Sequence, residues 1–120
     1  MKKKVLFIDD EEDILEVVKI ILENEGMDVI CKTDIKSIDE VVKINPDLVL
    51  LDLLLLGHSG DEICAMIHGD KRTKDIPIVL ISAYNLSKVR ALTEKCHAEA
   101  YIQKPFDMDE LVDKVKYHLS

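Results

Sequence analysis

No apolar run in the sequence reaches the roughly 20 residues that a membrane span takes. The longest aliphatic stretch, Leu48 to Leu56 ("LVLLDLLLL"), is interrupted by an aspartate. Positive charge is also scarce: 16 Lys and Arg stand against 24 Asp and Glu, a net charge of −8. That balance argues against a nucleic-acid surface, which needs clustered cations for phosphate. The single basic run, Lys2-Lys3-Lys4, reads as a solvated terminus. Only Val5 to Ile8 separate it from "DDEED", too little for a signal-peptide core. Cysteine is sparse: Cys31, Cys64 and Cys96 are scattered and form no C-x-x-C pair. Such a set suits reduced thiols in a cytoplasm better than a disulfide framework, and reads as small core or helix-face residues.

What is present is an alternation. At 120 residues, 48% hydrophobic and 33% charged, the chain suits one globular domain. "KVLFID" reads as a short buried strand. Ile14, Val17, Val18, Ile21 and Leu22 recur at three and four, which predicts a helix over Glu12 to Glu25 stopped by Gly26. "MDVICK" reads as a second strand. Ile38, Val41 and Val42 mark a second helix ending before Pro46. "DLVLLD" gives a third strand, followed after Gly60 by a helix with Ile63, Met66 and Ile67 that closes at Gly69. "IPIVLIS" gives a fourth strand, its Pro77 tolerable near a strand start. Val89, Leu92 and Cys96 line a fourth helix. "AYIQK" is a fifth strand, and Leu111, Val112, Val115 and Leu119 line a closing helix.

Strands alternating with helices over short connections imply parallel pairing and right-handed crossovers. Five such units are too few for an eightfold barrel, so the expected class is α/β with an open, doubly wound, five-stranded parallel sheet. Ligands bind beyond the carboxyl ends of the strands in such sheets. Those ends carry Asp9-Asp10, Asp52, Ser82 and Lys104. A buried lone carboxylate would cost several kcal/mol, so Asp52 belongs at the mouth of its strand. Converging carboxylates raise one another's pKa unless a cation intervenes. Mg²⁺ prefers a few carboxylates, a backbone oxygen and waters. Lys104 and Ser82 suit phosphate oxygens. The set points to phosphoryl transfer, with an aspartate able to act as nucleophile.

The segments "VLFIDDE", "DLVLLDLLLLGHSG", "IPIVLISA" and "AYIQKPF", in that order over essentially the whole chain, resemble the receiver domain of two-component response regulators. The resemblance implies a flavodoxin-like, CheY-like (βα)5 fold with sheet order 2-1-3-4-5, as one receiver domain over residues 1–120. It implies that Asp52 is a phosphoacceptor served by a sensor histidine kinase or phosphotransfer protein. Asp9 and Asp10 match the acidic pair that holds Mg²⁺, Asp10 by direct contact, with Asp52 and the carbonyl of Leu54 completing the set. Ser82 matches a switch hydroxyl and Lys104 the phosphoryl-binding lysine. Pro105 would follow a cis peptide bond, and Tyr101 matches an aromatic that turns inward on activation. The signalling face would be the fourth helix, fifth strand and fifth helix, acting on a downstream protein target. No contact with nucleic acid or membrane is implied; the location would be cytoplasmic, and dimerisation on phosphorylation is left open.

Some positions depart from that pattern. Leu56 stands where proline is usual, so the loop loses a fixed φ. Leu53 reads as core, while Leu54 to Leu56 read either as core or as a partner contact. His97 replaces a common glycine, which would strain it if φ must be positive there. His58 reads as a surface loop residue. Leu54 and Tyr84 are bulky where the family tunes hydrolysis, which suggests a long-lived phosphoryl state. Two other aspartate or phosphate chemistries fit poorly. A haloacid-dehalogenase-type phosphatase wants D-x-D after its first strand, and a flavodoxin needs a Ser/Thr/Gly-rich loop and flanking aromatics, here 4% of the chain. A receiver-like docking module that never takes up phosphate is the serious alternative.

Overall fold

The computed structural model describes residues 2–55, 58–92 and 96–120, with residues 54, 55, 58, 59 and 92 described by their backbone alone. The chain runs β1 (Lys4–Ile8), α1 (Glu12–Asn24), β2 (Asp28–Lys32), α2 (Ile38–Ile44), β3 (Leu48–Asp52), β4 (Leu54–Leu55), β5 (His58–Ser59), α3 (Gly60–His68), β6 (Ile78–Ser82), α4 (Leu86–Leu92), β7 (Ala100–Gln103) and α5 (Met108–Leu119). Five strands form one sheet in the order β2-β1-β3-β6-β7, every neighbouring pair parallel. Counting only those five in chain order, this is the 2-1-3-4-5 arrangement. The two-residue strands β4 and β5 form a separate antiparallel ribbon, which sequence pattern did not anticipate.

The strands are apolar on both faces because both faces are covered. Val5, Phe7, Leu48, Leu50, Val79 and Ile81 point to one side, where α1 and α5 supply Leu15, Val18, Leu22, Leu111 and Val115. Leu6, Ile8, Val49, Leu51, Ile78 and Leu80 point to the other, against Val41, Ile63, Ile67 and Val89 of α2, α3 and α4. All five residues of β3 and of β6 are buried. Period-two alternation thus splits one hydrophobic run between two cores.

Local signals set the element ends. Gly26, at φ +86°, ends α1 in the left-handed region. A capping box starts α2: the Ser37 hydroxyl accepts from the Asp39 N–H while Glu40 reaches back to the Ser37 N–H. Asn45, at φ 53°, closes α2 just before Pro46. Asp107 caps α5 by accepting the Glu110 N–H at 2.7 Å. Pro77 lies one residue ahead of β6, where no ladder donor is needed from it.

Two expectations need correction. Cys96 does not line the fourth helix: it lies outside α4 (Leu86–Leu92) and in no regular element. Nor are the three thiols unpaired: Cys64 and Cys96 form a disulfide with Cα atoms 5.5 Å apart, leaving Cys31 free. Sequence spacing carries no information about which helix faces which loop across the sheet. His97 is unstrained, since among the described residues Asn45 alone is a non-glycine with positive φ. Leu53 is buried as expected, whereas Leu56 lies outside the described residues.

Candidate functional site at the carboxyl edge of the sheet

The order of the sheet puts β1 and β3 side by side, with β6 and then β7 beyond. Asp9 follows the last residue of β1, Asp52 ends β3, Ser82 ends β6 and Lys104 follows β7. Parallel pairing at one register therefore delivers all four to the same edge. Asp9, Asp52 and Ser82 are 0%, 4% and 1% exposed, so these polar groups are shielded and need partners.

Lys104 supplies one partner. Its Nζ donates to Asp9 Oδ2 at 3.1 Å and to Asp52 Oδ2 at 3.3 Å, and lies 3.5 Å from Glu11 Oε1. Its backbone N–H donates to the Ser82 carbonyl at 2.7 Å, fixing where the side chain starts. Burial pulls the Lys104 ammonium down, but the charges and hydrogen bonds of Asp52 and Asp9 outweigh it, and its pKa rises above the ordinary value. The Lys104–Pro105 peptide is cis.

Carboxylates outnumber that one cation. Asp9, Asp10, Glu11 and Asp52 each offer an oxygen, all within 4.8 Å of one another. Asp9 Oδ1 also accepts the Glu11 N–H at 2.9 Å, which folds the acidic turn back over the end of β1. The Glu11 side chain consequently faces Lys104, and α1 starts without a side-chain cap. A cluster of hard oxygen donors with surplus negative charge fits Mg²⁺, whose preference is for carboxylates and water. Glu11 was missed in the sequence, which singled out only Asp9 and Asp10 of the acidic run. Leu54, two residues beyond Asp52, lies in β4 and pairs with Ser59.

The neighbourhood of Ser82 joins the site to the far edge of the sheet. Ser82 Oγ accepts the Tyr84 N–H at 3.1 Å and keeps its own proton to donate. The Tyr101 hydroxyl reaches over from β7 and donates to the carbonyls of Ser82, at 3.4 Å, and of Tyr84. Burial pushes the Tyr101 phenol up. Lys88 stacks over the Tyr84 ring, 4.7 Å from its centroid.

Gly60 is required by close approach. A Cβ there would collide with the Asp52 carbonyl oxygen and lie 2.7 Å from Leu53 Cα. Its N–H donates to the Leu53 carbonyl at 2.7 Å, so α3 begins directly against the strand that carries Asp52.

Comparison with known proteins identifies the family and the fold. The model of the response regulator receiver domain family matches residues 5–116. A putative response regulator from Chloroflexus aurantiacus J-10-fl is 27% identical, with a TM-score of 0.91 over 99% of this chain and 98% of that one. The BeF3-activated N-terminal receiver domain of RstA from Klebsiella pneumoniae is 26% identical, with a TM-score of 0.86 over 98% of each chain. At 21% identity, the receiver domain of the sensor histidine kinase PA1611 from Pseudomonas aeruginosa PAO1 shares the fold, with a TM-score of 0.90 over 99% of this chain and 98% of that one; in that protein a magnesium ion is coordinated in the active-site cleft.

Proposed function

The chain belongs to the response regulator receiver domain family of two-component signalling, and we propose that it takes a phosphoryl group from a phosphohistidine onto Asp52. The observation that carries this reading is the Lys104 ammonium, held 3.3 Å from Asp52 and 3.1 Å from Asp9 beside a carboxylate cluster. A structural ion pair would need one carboxylate; this lysine serves an edge that has four.

In the proposed reaction a carboxylate oxygen of Asp52 attacks phosphorus, the P–N bond breaks, and the donor imidazole leaves. Lys104 and the Ser82 hydroxyl bind the phosphoryl oxygens, which carry about −1.5 to −2 charges at pH 7. Asp9, Asp10 and Asp52, with the Leu54 carbonyl, would hold Mg²⁺, and Glu11 is close enough to orient its waters. Bound Mg²⁺ neutralises charge on the transferring group. The domain acts only on its own aspartate, as a phosphoacceptor rather than a turnover enzyme.

The signal follows from differential contact. A phosphoryl group that draws Ser82 and Lys104 toward Asp52 favours the arrangement in which Tyr101 bonds to the Ser82 and Tyr84 carbonyls. Couplings of this type run to about 1–3 kcal/mol. The donor would be a sensor histidine kinase or phosphotransfer protein, and the receiver of the signal a protein that reads α4, β7 and α5, in the cytoplasm. The whole of residues 1–120 would act as one receiver domain.

The test is intact mass after incubation with acetyl phosphate and Mg²⁺. One added phosphoryl group, absent from Asp52→Asn and from a chelator control, is the expected result. No gain from acetyl phosphate, together with no binding of beryllofluoride, would leave the docking-module alternative in its place.

A further inference from the structure

The Cys64–Cys96 disulfide lies outside the phosphoacceptor site and ties α3 to the residues that lead into β7, a junction that the His68–Glu99 pair at 3.5 Å also spans. Cys64, in α3, is 0% exposed, and Cys96, past the end of α4, is 7% exposed. Both belong to the core on the α2–α3–α4 side of the sheet. The helix that precedes Cys96, α4, is largely exposed over its described side chains. Of residues 86–91, Val89 alone is buried, and Leu86 is 45% exposed. A cavity of about 450 Å³ opens beside α4, lined by Leu80, Val89, Arg90, Cys96, His97 and Tyr101. The covalent bond thus adds to the Glu99 contacts with Ile78 and His68 in holding residues 96–99 to the body of the fold.

The same cavity gives the bond chemical access. Cys96 forms part of its wall, whereas Cys64 is sealed behind it. The fixed positive charge of Arg90 lines the cavity too, and cationic surroundings favour the reactive thiolate. Cys31 cannot compete for the pairing. It packs against the opposite core, its Sγ 3.7 Å from the Leu15 carbonyl, and burial pushes its thiol up. Disulfides in reducing compartments are typically transient and redox-sensing.

We propose that Cys64 and Cys96 form a thiol–disulfide switch, oxidised by a small disulfide of the glutathione type, that fastens residues 96–99 to α3 when oxidised and loosens them when reduced. In the oxidation, the Cys96 thiolate attacks one sulfur of oxidised glutathione and expels the other as glutathione thiolate. The Cys64 thiolate then attacks the Cys96 sulfur of the mixed disulfide and expels the second glutathione. Two protein thiols lose two electrons, the small disulfide gains them, and both protons end on glutathione. This redox step does not depend on phosphorylation of Asp52.

The experiment equilibrates the protein in buffers of varied reduced-to-oxidised glutathione ratio, quenches with acid, and alkylates the denatured chain for mass mapping. In parallel, amide hydrogen exchange is compared for the oxidised and dithiothreitol-reduced forms. The expected result is that Cys64 and Cys96 become alkylated together as the ratio rises, with Cys31 alkylated throughout. Exchange over residues 96–99 should quicken by about tenfold or more on reduction, while β1 and β3 stay protected. Cys96→Ala should show the same fast exchange with or without reductant; should that variant fail to fold, the reduced native chain gives the same reading. Both thiols alkylated at every ratio would overturn the switch. So would a mixed glutathione adduct that never resolves, unchanged exchange over residues 96–99 on reduction, or loosening spread evenly over the sheet.

Discussion

Lys104 reaches back from the end of β7 and holds the Asp52 carboxylate at 3.3 Å, two strands away across the sheet. The same ammonium holds Asp9, so without metal it is the principal charge balancing the edge. Removing one partner of a buried ion pair leaves the other uncompensated, at a typical cost of about 3–5 kcal/mol. Lys104→Met should therefore lower stability by about 3 kcal/mol in chelator, the lower end because the lysine is partly exposed. Urea melts with and without Mg²⁺ read this directly, and millimolar Mg²⁺ should return part of the loss.

Asp10→Asn should do the opposite in the absence of metal. It removes one of four crowded carboxylates, so its melting temperature in chelator should exceed that of the native chain. The stabilisation by Mg²⁺ should disappear with it. For the native protein, Mg²⁺ at ten times its dissociation constant should add about 1.4 kcal/mol. A native melting temperature that ignores Mg²⁺ would count against the acidic edge as a metal site.

In the proposed phosphoacceptor reading, the bulk of Tyr84 shields a phosphoryl group on Asp52. Its backbone is fixed by the Ser82 hydroxyl, and its ring is held under Lys88. Tyr84→Ala should shorten the life of the phosphorylated form by about tenfold, equivalent to ~1.4 kcal/mol on the hydrolysis barrier. Decay of the phosphorylated mass after removal of the donor gives the rate. Equal decay in the two proteins would assign the shielding elsewhere.

How much of this could be read from residue order varies with the range of the interaction. Strands and helices were legible because Val5 to Ile8, Leu48 to Leu51 and Ile78 to Ile81 are unbroken apolar runs separated by helical periodicity. The edge was legible because strand ends fall at Asp9, Asp52, Ser82 and Lys104, and parallel pairing does the rest. Glu11 was not, since its role depends on the Asp9 side chain turning the chain back on itself. The pairing of Cys64 with Cys96 was not either, because it depends on how α3 faces a connection from a different βα unit. The β4–β5 ribbon, two residues to a strand, is too short to leave a period.

A surface prediction concerns pH. Hydrogen bonds from the Arg72 side chain and backbone hold the Asp70 carboxyl down at about 2. A folded value below the unfolded one, about 3.9, means the stabilisation is complete above that unfolded value and is lost as pH falls toward about 2. The melting-temperature difference between native protein and Asp70→Asn should be largest near neutrality and should shrink through this acid window.

Gly60 offers a way to watch the site in a 15N-enriched but chemically untagged chain. Its amide donates to the Leu53 carbonyl, which belongs to the residue immediately after Asp52. Glycine amides resonate upfield in nitrogen, apart from the crowd, and this chain has only four of them. The Gly60 cross-peak is therefore a built-in spectroscopic reporter. Charge added to Asp52 polarises the adjoining peptide and moves that one peak, so occupancy can be counted in real time in an unmodified protein.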